Sequence, residues 1–141
     1  MHDIGTYPVY GASGIVGFLD HYEIEEDAIL IIKDGSGVGT VFSVSGKCSA
    51  TSTMNILQPK EGYSLKYLYY ALKAFKFDQF KTGMAIPHIY FKDFGKGMVY
   101  CGTFAEQQKI AQCISVIDKK LDAERQLSIE LLKQKAFFLQ K

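Results

Sequence analysis

One segment of this sequence, a lysine followed by three glycines, has a composition similar to that of a phosphate-binding loop. Gly35, Gly37 and Gly39 follow Lys33, whereas a G-x-x-x-x-G-K-[ST] loop needs its lysine after the glycines. No helix pattern follows the segment to offer an N-terminus to a phosphate. The spacing therefore favours a turn between two strands over a nucleotide site.

The histidines and serines also lack the spacing of a catalytic or metal site. His2, His21 and His88 form no H-E-x-x-H, and His21-Tyr22-Glu23 matches H-x-E without the P-C-x-x-C that a zinc deaminase also needs. Ser13 stands in G-A-S-G rather than in G-x-S-x-G. The sequence contains neither a paired-carboxylate nuclease arrangement nor a Pro-Pro-aromatic methyltransferase motif. We therefore expect a non-catalytic protein without a metal ion or a cofactor.

The three cysteines indicate a reducing compartment. Cys48, Cys101 and Cys113 are odd in number and form no C-x-x-C pair, which is typical of free thiols in a cytoplasmic protein. No apolar run reaches the length of a membrane span, and the segment MHDIGTYPVY has no basic region followed by an apolar one. We expect no signal peptide, no anchor and no membrane partner.

The net charge of +1 conceals an uneven distribution. Residues 1–59 contain two lysines against seven acids, a balance of −5, and residues 60–100 contain seven lysines against three acids, a balance of +4. The final 41 residues hold seven bases and five acids, +2. A local basic surface is therefore compatible with a nearly neutral chain, although lysine-rich surfaces are often only solubilising.

Short strands separated by glycine turns are predicted for the first hundred residues, followed by helices. The pattern predicts a strand, a turn and a second strand over 6–22. It then predicts a strand buried on both faces over 28–32, a loop over 34–40 and a returning strand from 41. Further predictions are a strand over 51–57, a helix over 64–80, a polar connection over 92–96 and a short strand over 98–101. These elements predict an α+β fold with a small mixed or antiparallel sheet and one packed helix.

Residues 103–141 predict one long amphipathic helix, which separates a domain over 1–102 from an appendage. The segment has no proline or glycine, and Thr103 with Glu106 fits the capping box. Its seam of apolar residues consists of Ile110, Ile114, Ile117, Leu121, Leu127, Leu131 and Phe138. A helix of about 50 Å exceeds the width of such a domain. It therefore either pairs with a partner helix or folds back on its own domain, and Glu124 and Ser128 interrupt a strict coiled-coil seam.

Small polar side chains concentrate in four loops, over 11–14, 33–40, 49–55 and 81–88. Serine, threonine, glycine and lysine can approach phosphates or base edges closely. The same composition would suit a module that binds protein, so the loops alone do not choose between these ligands.

Five segments, in order along nearly the whole chain, resemble the type I restriction–modification specificity subunits. They are YPVYGASGIVGFLDHY, ILIIKDGSGVGTVF, KYLYYALK, TGMAIPHIYFKDF and FAEQQKIAQCISVIDKKLDAE. In the last segment Glu106-Gln107, Ile110-Ala111 and Ile117-Asp118 match the family's helical motif. The proline that the family carries near the helix start is absent, and Gly102 or Thr103 stands there.

The resemblance implies a target-recognition domain over 1–102 and a spacer or dimerisation helix over 103–141. In the family, a full-length subunit has two such halves whose helices pair antiparallel, and each recognition domain reads one part of a split target on double-stranded DNA. Implied partners are methyltransferase (modification) subunits, through them the restriction subunit, and a second recognition half. That half would lie in a second copy of this chain or in the same longer chain.

The resemblance also implies which residues face DNA: Ser13, Lys33, Ser36, Thr51, Ser52, Thr53, Lys81 and His88. Several have a plainer alternative, since Ser13 and Ser36 would also cap turns, Lys33 and Lys81 would also be solvated charges, and a histidine after Pro87 is often structural. The seam of the long helix is predicted to contact the partner helix. A different class of function stays open, in which the chain is a protein-interaction adaptor that assembles through this helix without reading DNA.

Overall fold

Two small β-sheets, a helical layer and one long helix make up the fold. The computed structural model describes residues 5–140, so His2 and Lys141 lie outside the described residues. The strands are β1 (Tyr7–Gly11), β2 (Gly14–Leu19), β3 (Ala28–Ile32), β4 (Val41–Val44), β5 (Ser49–Ala50) and β6 (Met54–Leu57). The helices are α1 (Leu65–Ala74), a 3-10 helix (Phe77–Phe80), the single-turn α2 (Phe91–Phe94) and α3 (Phe104–Leu139). The predicted α+β class with a long C-terminal helix is confirmed.

β1 is the central strand of the first sheet, whose order is β2-β1-β5. It pairs antiparallel with β2 and parallel with the short β5, and its register with β2 shifts between Val9 and Tyr10. Gly14 has a φ of +104°, which lets the chain reverse tightly between β1 and β2. The predicted strand, turn and strand over 6–22 are confirmed.

β3 is the central strand of the second sheet, ordered β4-β3-β6 with both pairs antiparallel. All five of its residues are buried, as the continuous apolar run predicts. Because side chains alternate along a strand, Leu30 and Ile32 enter one apolar cluster while Ile29 and Ile31 enter another. The first cluster lies against the first sheet and the second against the helices, so β3 separates the two cores.

The helix predicted over 64–80 is too long. α1 begins after its N-cap Ser64 and ends at Ala74. Phe75 and Phe77 both pack against the second cluster, with ring centroids 4.9 Å apart. Residues two apart on one α-helix point about 200° apart around its axis, so they could not share that core. The backbone therefore becomes extended at Phe75 before the 3-10 helix forms.

Three other predicted segments also differ from the structure. The strand predicted over 51–57 is β6 alone, because residues 51–53 form a turn in which the Met54 N–H donates to the Thr51 carbonyl at 3.1 Å. The polar connection over 92–96 overlaps α2, which buries Phe94. Residues 98–101 form no strand, and within residues 5–140 no neighbouring strand pairs with them. A strand needs ladder partners, which sequence pattern alone does not supply.

α3 begins at the predicted capping box. The Thr103 N–H donates to Glu106 Oε2 at 2.8 Å, and the Glu106 N–H donates to Thr103 Oγ1 at 3.3 Å. The helix then continues for 36 residues. In the part of the chain that the structure describes, no helix is both long and apolar enough to cross a membrane.

Within residues 5–140, only the first turns of α3 bury side chains against the rest of the fold. Its buried residues Gln107, Ala111 and Ser115 are spaced four apart and lie on the side of α1. Every residue from 119 to 140 is exposed. At 1.5 Å per residue, about 30 Å of helix extends beyond the domain. The helix therefore projects, and it does not fold back along its own domain.

Candidate nucleic-acid interface

Backbone hydrogen bonds join three of the loops that contain predicted binding residues. The Thr51 N–H donates to the Tyr10 carbonyl at 2.8 Å, which ties the 51–53 turn to the strand that precedes the 11–14 turn. The Lys33 N–H donates to the Thr53 carbonyl at 2.9 Å. The β1–β2 turn, the 51–53 turn and the loop after β3 therefore lie side by side, although they are far apart in sequence.

The fourth loop is attached to the loop after β3. The Ile89 N–H donates to the Lys33 carbonyl and the Gly35 N–H donates to the Pro87 carbonyl, each at 2.9 Å. These bonds make the four segments one continuous edge of the fold. We call this edge the loop band, and it consists of residues 11–14, 33–40, 51–53 and 81–88.

All eight residues predicted to bind DNA lie in the loop band, but they differ in accessibility. The exposed ones are Ser13, Ser36, Ser52 and Lys81. The half-buried ones are Lys33, Thr51, Thr53 and His88. Tertiary packing thus collects residues from separate loops and leaves only some of their side chains fully accessible to a ligand.

Structural contacts account for most of the half-buried group. The hydroxyls of Thr51 and Thr53 lie 2.8 Å apart and share a hydrogen bond. His88 exchanges two backbone hydrogen bonds with Thr82, and its ring meets that of Tyr90 edge to face with centroids 5.2 Å apart. These contacts favour a structural role for His88, the plainer of the two interpretations of this residue.

The Lys81 ammonium is exposed and paired with a carboxylate on the same turn. Its Nζ lies 2.5 Å from Oδ1 of Asp78, whose side chain is also exposed. Exposed ion pairs contribute about 0–1 kcal/mol, so a phosphate could replace the carboxylate at little cost. Lys81 is therefore available to an anionic ligand.

An acidic segment and the loop band lie at opposite ends of β3. Four exposed acids precede the strand: Glu23, Glu25, Glu26 and Asp27. Lys33 and the loop band follow it. Five strand residues separate the two ends by about 17 Å, which exceeds the Debye length of about 8 Å at physiological ionic strength. The charge of these four acids is therefore largely screened at the loop band, although the band itself contains the half-buried Asp34.

Two exposed residues of the loop band were not among those predicted from the sequence. Met84 and Ile86 stand at the tip of the 81–88 loop, and both side chains are exposed. The available signal was a pair of large apolar residues inside an otherwise small and polar loop, bounded by Gly83 and Pro87. They were not predicted because neither side chain carries a strong hydrogen-bonding group for a base or a phosphate.

A buried glutamine, also not predicted as a functional residue, joins α3 to the domain. Gln107 is 2% exposed, and its Oε1 accepts from the Ser64 N–H at 2.9 Å while its Nε2 donates to the Gly102 carbonyl at 3.0 Å. Ser64 is the N-cap of α1. One side chain therefore ties together the start of α1, the chain before α3, and α3 itself.

Two tyrosines of α1 extend this junction. The Tyr67 hydroxyl donates to the Tyr100 carbonyl at 2.5 Å, and burial raises the pKa of Tyr67. Burial also raises the pKa of Tyr70, and the Asp118 carboxylate adds to that effect while a hydrogen bond with Ser115 opposes it. Both phenols therefore stay protonated at neutral pH. Tyr70 contacts α3 itself, whereas Tyr67 holds the chain just before α3.

The predicted partner seam of α3 is accessible along nearly its whole length. Ile114 is half-buried beside the domain. The other members are exposed: Ile110, Ile117, Leu121, Leu127, Leu131 and Phe138. Repeated large apolar side chains in water leave a face that a second surface could cover.

The cysteines of the described chain are free and differ in burial. Cys48 is buried, Cys101 is half-buried and Cys113 is exposed. Burial raises the pKa of the Cys48 thiol, and the Asp27 carboxylate raises it further. Within residues 5–140, no three side chains among histidine, cysteine, aspartate and glutamate are grouped to hold a metal ion.

Comparison with known proteins decides the family. A family model described as the type I restriction modification DNA specificity domain matches residues 2–133. The chain belongs to this family. The family match covers both the domain that carries the loop band and most of α3.

Two relatives of this specificity domain illustrate the match. A putative type I restriction enzyme specificity subunit of Haemophilus influenzae is 30% identical over 82 residues, which cover 56% of this chain and 21% of the relative. The crystal structure of a type I restriction-modification system S subunit from M. genitalium matches with a TM-score of 0.61 and 27% identity, over 86% of this chain and 34% of that chain. The chain thus spans about a fifth of the first protein and a third of the second.

Proposed function

We propose that this chain is a DNA-reading half of a type I specificity subunit and that it grips duplex DNA with the loop band. The observation that carries the proposal is the convergence of four polar loops on one edge, held by backbone hydrogen bonds. That edge lies away from the acidic residues that precede β3. Membership of the specificity family supports the same conclusion.

The residues of the loop band form three groups: those that contact phosphates, those that contact bases and those that hold the loops. Lys33 and Lys81 contact phosphates, which positions the domain but carries no sequence information. The exposed hydroxyls of Ser13, Ser36 and Ser52 reach base edges, where sequence is read. Thr51, Thr53 and His88 lie at the same surface, where the Thr51–Thr53 hydroxyl contact closes one turn and the His88–Thr82 bonds close the base of another loop.

The projecting part of α3 pairs with the α3 of a second recognition half. Its exposed apolar seam gains by burial, and a large aliphatic side chain contributes about 1.5–3 kcal/mol when it is fully covered. The second half belongs either to another copy of this chain or to the same longer chain. The paired helices act as a spacer between two recognition domains, so together they read a split target.

Catalysis then belongs to partner subunits. Methyltransferase subunits held near α3 flip and methylate an adenine, and the restriction subunit assembles through them. Base flipping requires an enclosed pocket around the extruded base, which this chain does not have to provide. The chain itself is non-catalytic and acts by directing those subunits to the target.

Salt-dependent binding to duplex DNA tests the role of the loop band. We expect affinity for a duplex, measured by fluorescence anisotropy, to fall as salt rises. The slope of log affinity against log salt is negative. In Lys81→Ala it should become shallower by about 0.9, because one phosphate contact is lost. Lys109→Ala is the matched control, since Lys109 is also exposed but lies on α3 outside the loop band. An unchanged slope in Lys81→Ala, or an equal change in both variants, would contradict the proposal.

The adaptor function is the alternative that the exposed seam of α3 also fits. An adaptor would assemble through α3 yet show no salt-dependent affinity for duplex DNA. The anisotropy experiment therefore separates the two functions, because only the specificity subunit requires the loop band to bind.

A further inference from the structure

Two large apolar side chains stand uncovered at the tip of the 81–88 loop. Met84 is 106% exposed and Ile86 is 65% exposed, and neither belongs to an apolar cluster of the core. Folding has gained nothing from burying Met84, and a surface that covered both side chains would remove apolar area from water. The loop tip therefore exposes apolar surface that a partner can cover.

The loop that carries these residues is closed at its base. Thr82 and His88 exchange two backbone hydrogen bonds, each of 2.9 Å. Gly83 has a φ of +92°, and a Cβ at that position would overlap the Ile86 carbonyl. The turn is thus tight, and it presents Met84 and Ile86 outward instead of letting them collapse onto the domain.

The position of the loop identifies the partner. Its base is bonded to the loop after β3, and Lys81 begins it, so it belongs to the surface assigned above to duplex DNA. Beside the base of the loop lie the lysines Lys81 and Lys33 together with the carboxylates of Asp78 and Asp34. The two lysines suit phosphates better than an apolar protein surface. The major groove of DNA offers one prominent apolar group, the C5-methyl of thymine.

We propose that Met84 and Ile86 enter the major groove and pack on a thymine methyl group, so that this loop reads T through shape and apolar contact. The inference rests on the proposed DNA recognition and adds a readout that needs no hydrogen bond. It assigns specificity to residues other than the polar ones.

The test compares the wild type, a double variant of the loop tip and a control variant on duplexes that contain either thymidine or deoxyuridine. The full chain first selects its target from a random-sequence duplex pool, and that duplex is remade with deoxyuridine, which lacks only the methyl group. We expect the wild type to lose about fourfold in affinity, the contribution of one methyl group. The Met84→Ser/Ile86→Ser chain should lose about tenfold on the thymine duplex and be insensitive to deoxyuridine. Met98→Ser is the control, because Met98 is 94% exposed outside the loop band.

The outcomes separate this inference from the function on which it rests. If the chain selects no sequence, the proposed function fails and the inference fails with it. If it selects a target and the double variant binds that target as tightly as the wild type does, only the thymine contact is overturned. The same holds if the double variant binds DNA normally but no longer assembles with methyltransferase subunits, since the tip would then be a protein contact.

Discussion

Gly39 shows at the residue scale how the sequence of a loop is tied to a distant core residue. Its φ is +87°, and a Cβ added there would lie 2.9 Å from Cβ of Phe77, which is buried. Gly35 has a similar φ of +100°, but nothing lies within 4 Å of the position its Cβ would take. A side chain at position 39 would therefore press against Phe77, whereas a side chain at position 35 would enter open space.

Alanine at these two positions should separate backbone strain from steric overlap. Both variants bear the cost of a left-handed residue, about 1–2 kcal/mol. Gly39→Ala should lose roughly 1–3 kcal/mol more, because Phe77 cannot move its Cβ without moving the backbone. Urea unfolding of the two variants measures the difference. Equal losses would mean that the close approach to Phe77 does not limit Gly39.

At the scale of elements, Gln107 joins two helices through a single side chain. Gln107→Leu removes both hydrogen bonds and leaves the Ser64 N–H and the Gly102 carbonyl without their partner. We expect the free energy of unfolding to fall by about 1–3 kcal/mol, the cost of an unsatisfied buried group. Gln108→Leu is the control, since its side chain is exposed on the same turn. A similar stability for the two variants would show that the junction does not depend on Gln107.

The exposed seam of α3 makes its own prediction at this scale. In Leu121→Glu a charge replaces an apolar side chain that the partner helix would cover, so we expect sedimentation velocity to show a shift from paired chains to single ones. Gln112→Glu introduces the same charge change at an exposed position outside the seam, and it should leave the assembly unaltered. Identical sedimentation of both variants and the wild type, all monomeric, would count against self-pairing.

The proposed assembly as a whole predicts the form of the DNA target. Two recognition domains held at the ends of paired helices read two short sequences with an unread gap between them. Co-expression with a type I methyltransferase subunit, followed by mapping of methylated adenines, should therefore give a split motif. The motif should be symmetric if the second half is another copy of this chain. Cells with the methyltransferase subunit alone are the control, and a continuous motif or no new methylation would contradict the proposal.

Local patterns in the sequence predicted several elements correctly, because each depends on neighbours along the chain. The apolar run of β3, the glycine turn after β1 and the capping box of α3 are all set by residues within a few positions. The end of α1 was predicted wrongly, because Phe75 and Phe77 follow a shared core that helical periodicity does not describe. The DNA-binding role of the eight residues stays a prediction.

By itself, the sequence determined that this chain would be an α+β domain with a capped helix of about 50 Å, since periodicity, capping and turn chemistry act over short range. Only the tertiary structure decided that four separate loops form one edge and that Met84 and Ile86 stand uncovered at it. It also decided that Gln107 locks α3 to α1. These features depend on contacts between residues distant in sequence, and such contacts exist only after the two sheets and the helices have packed around β3.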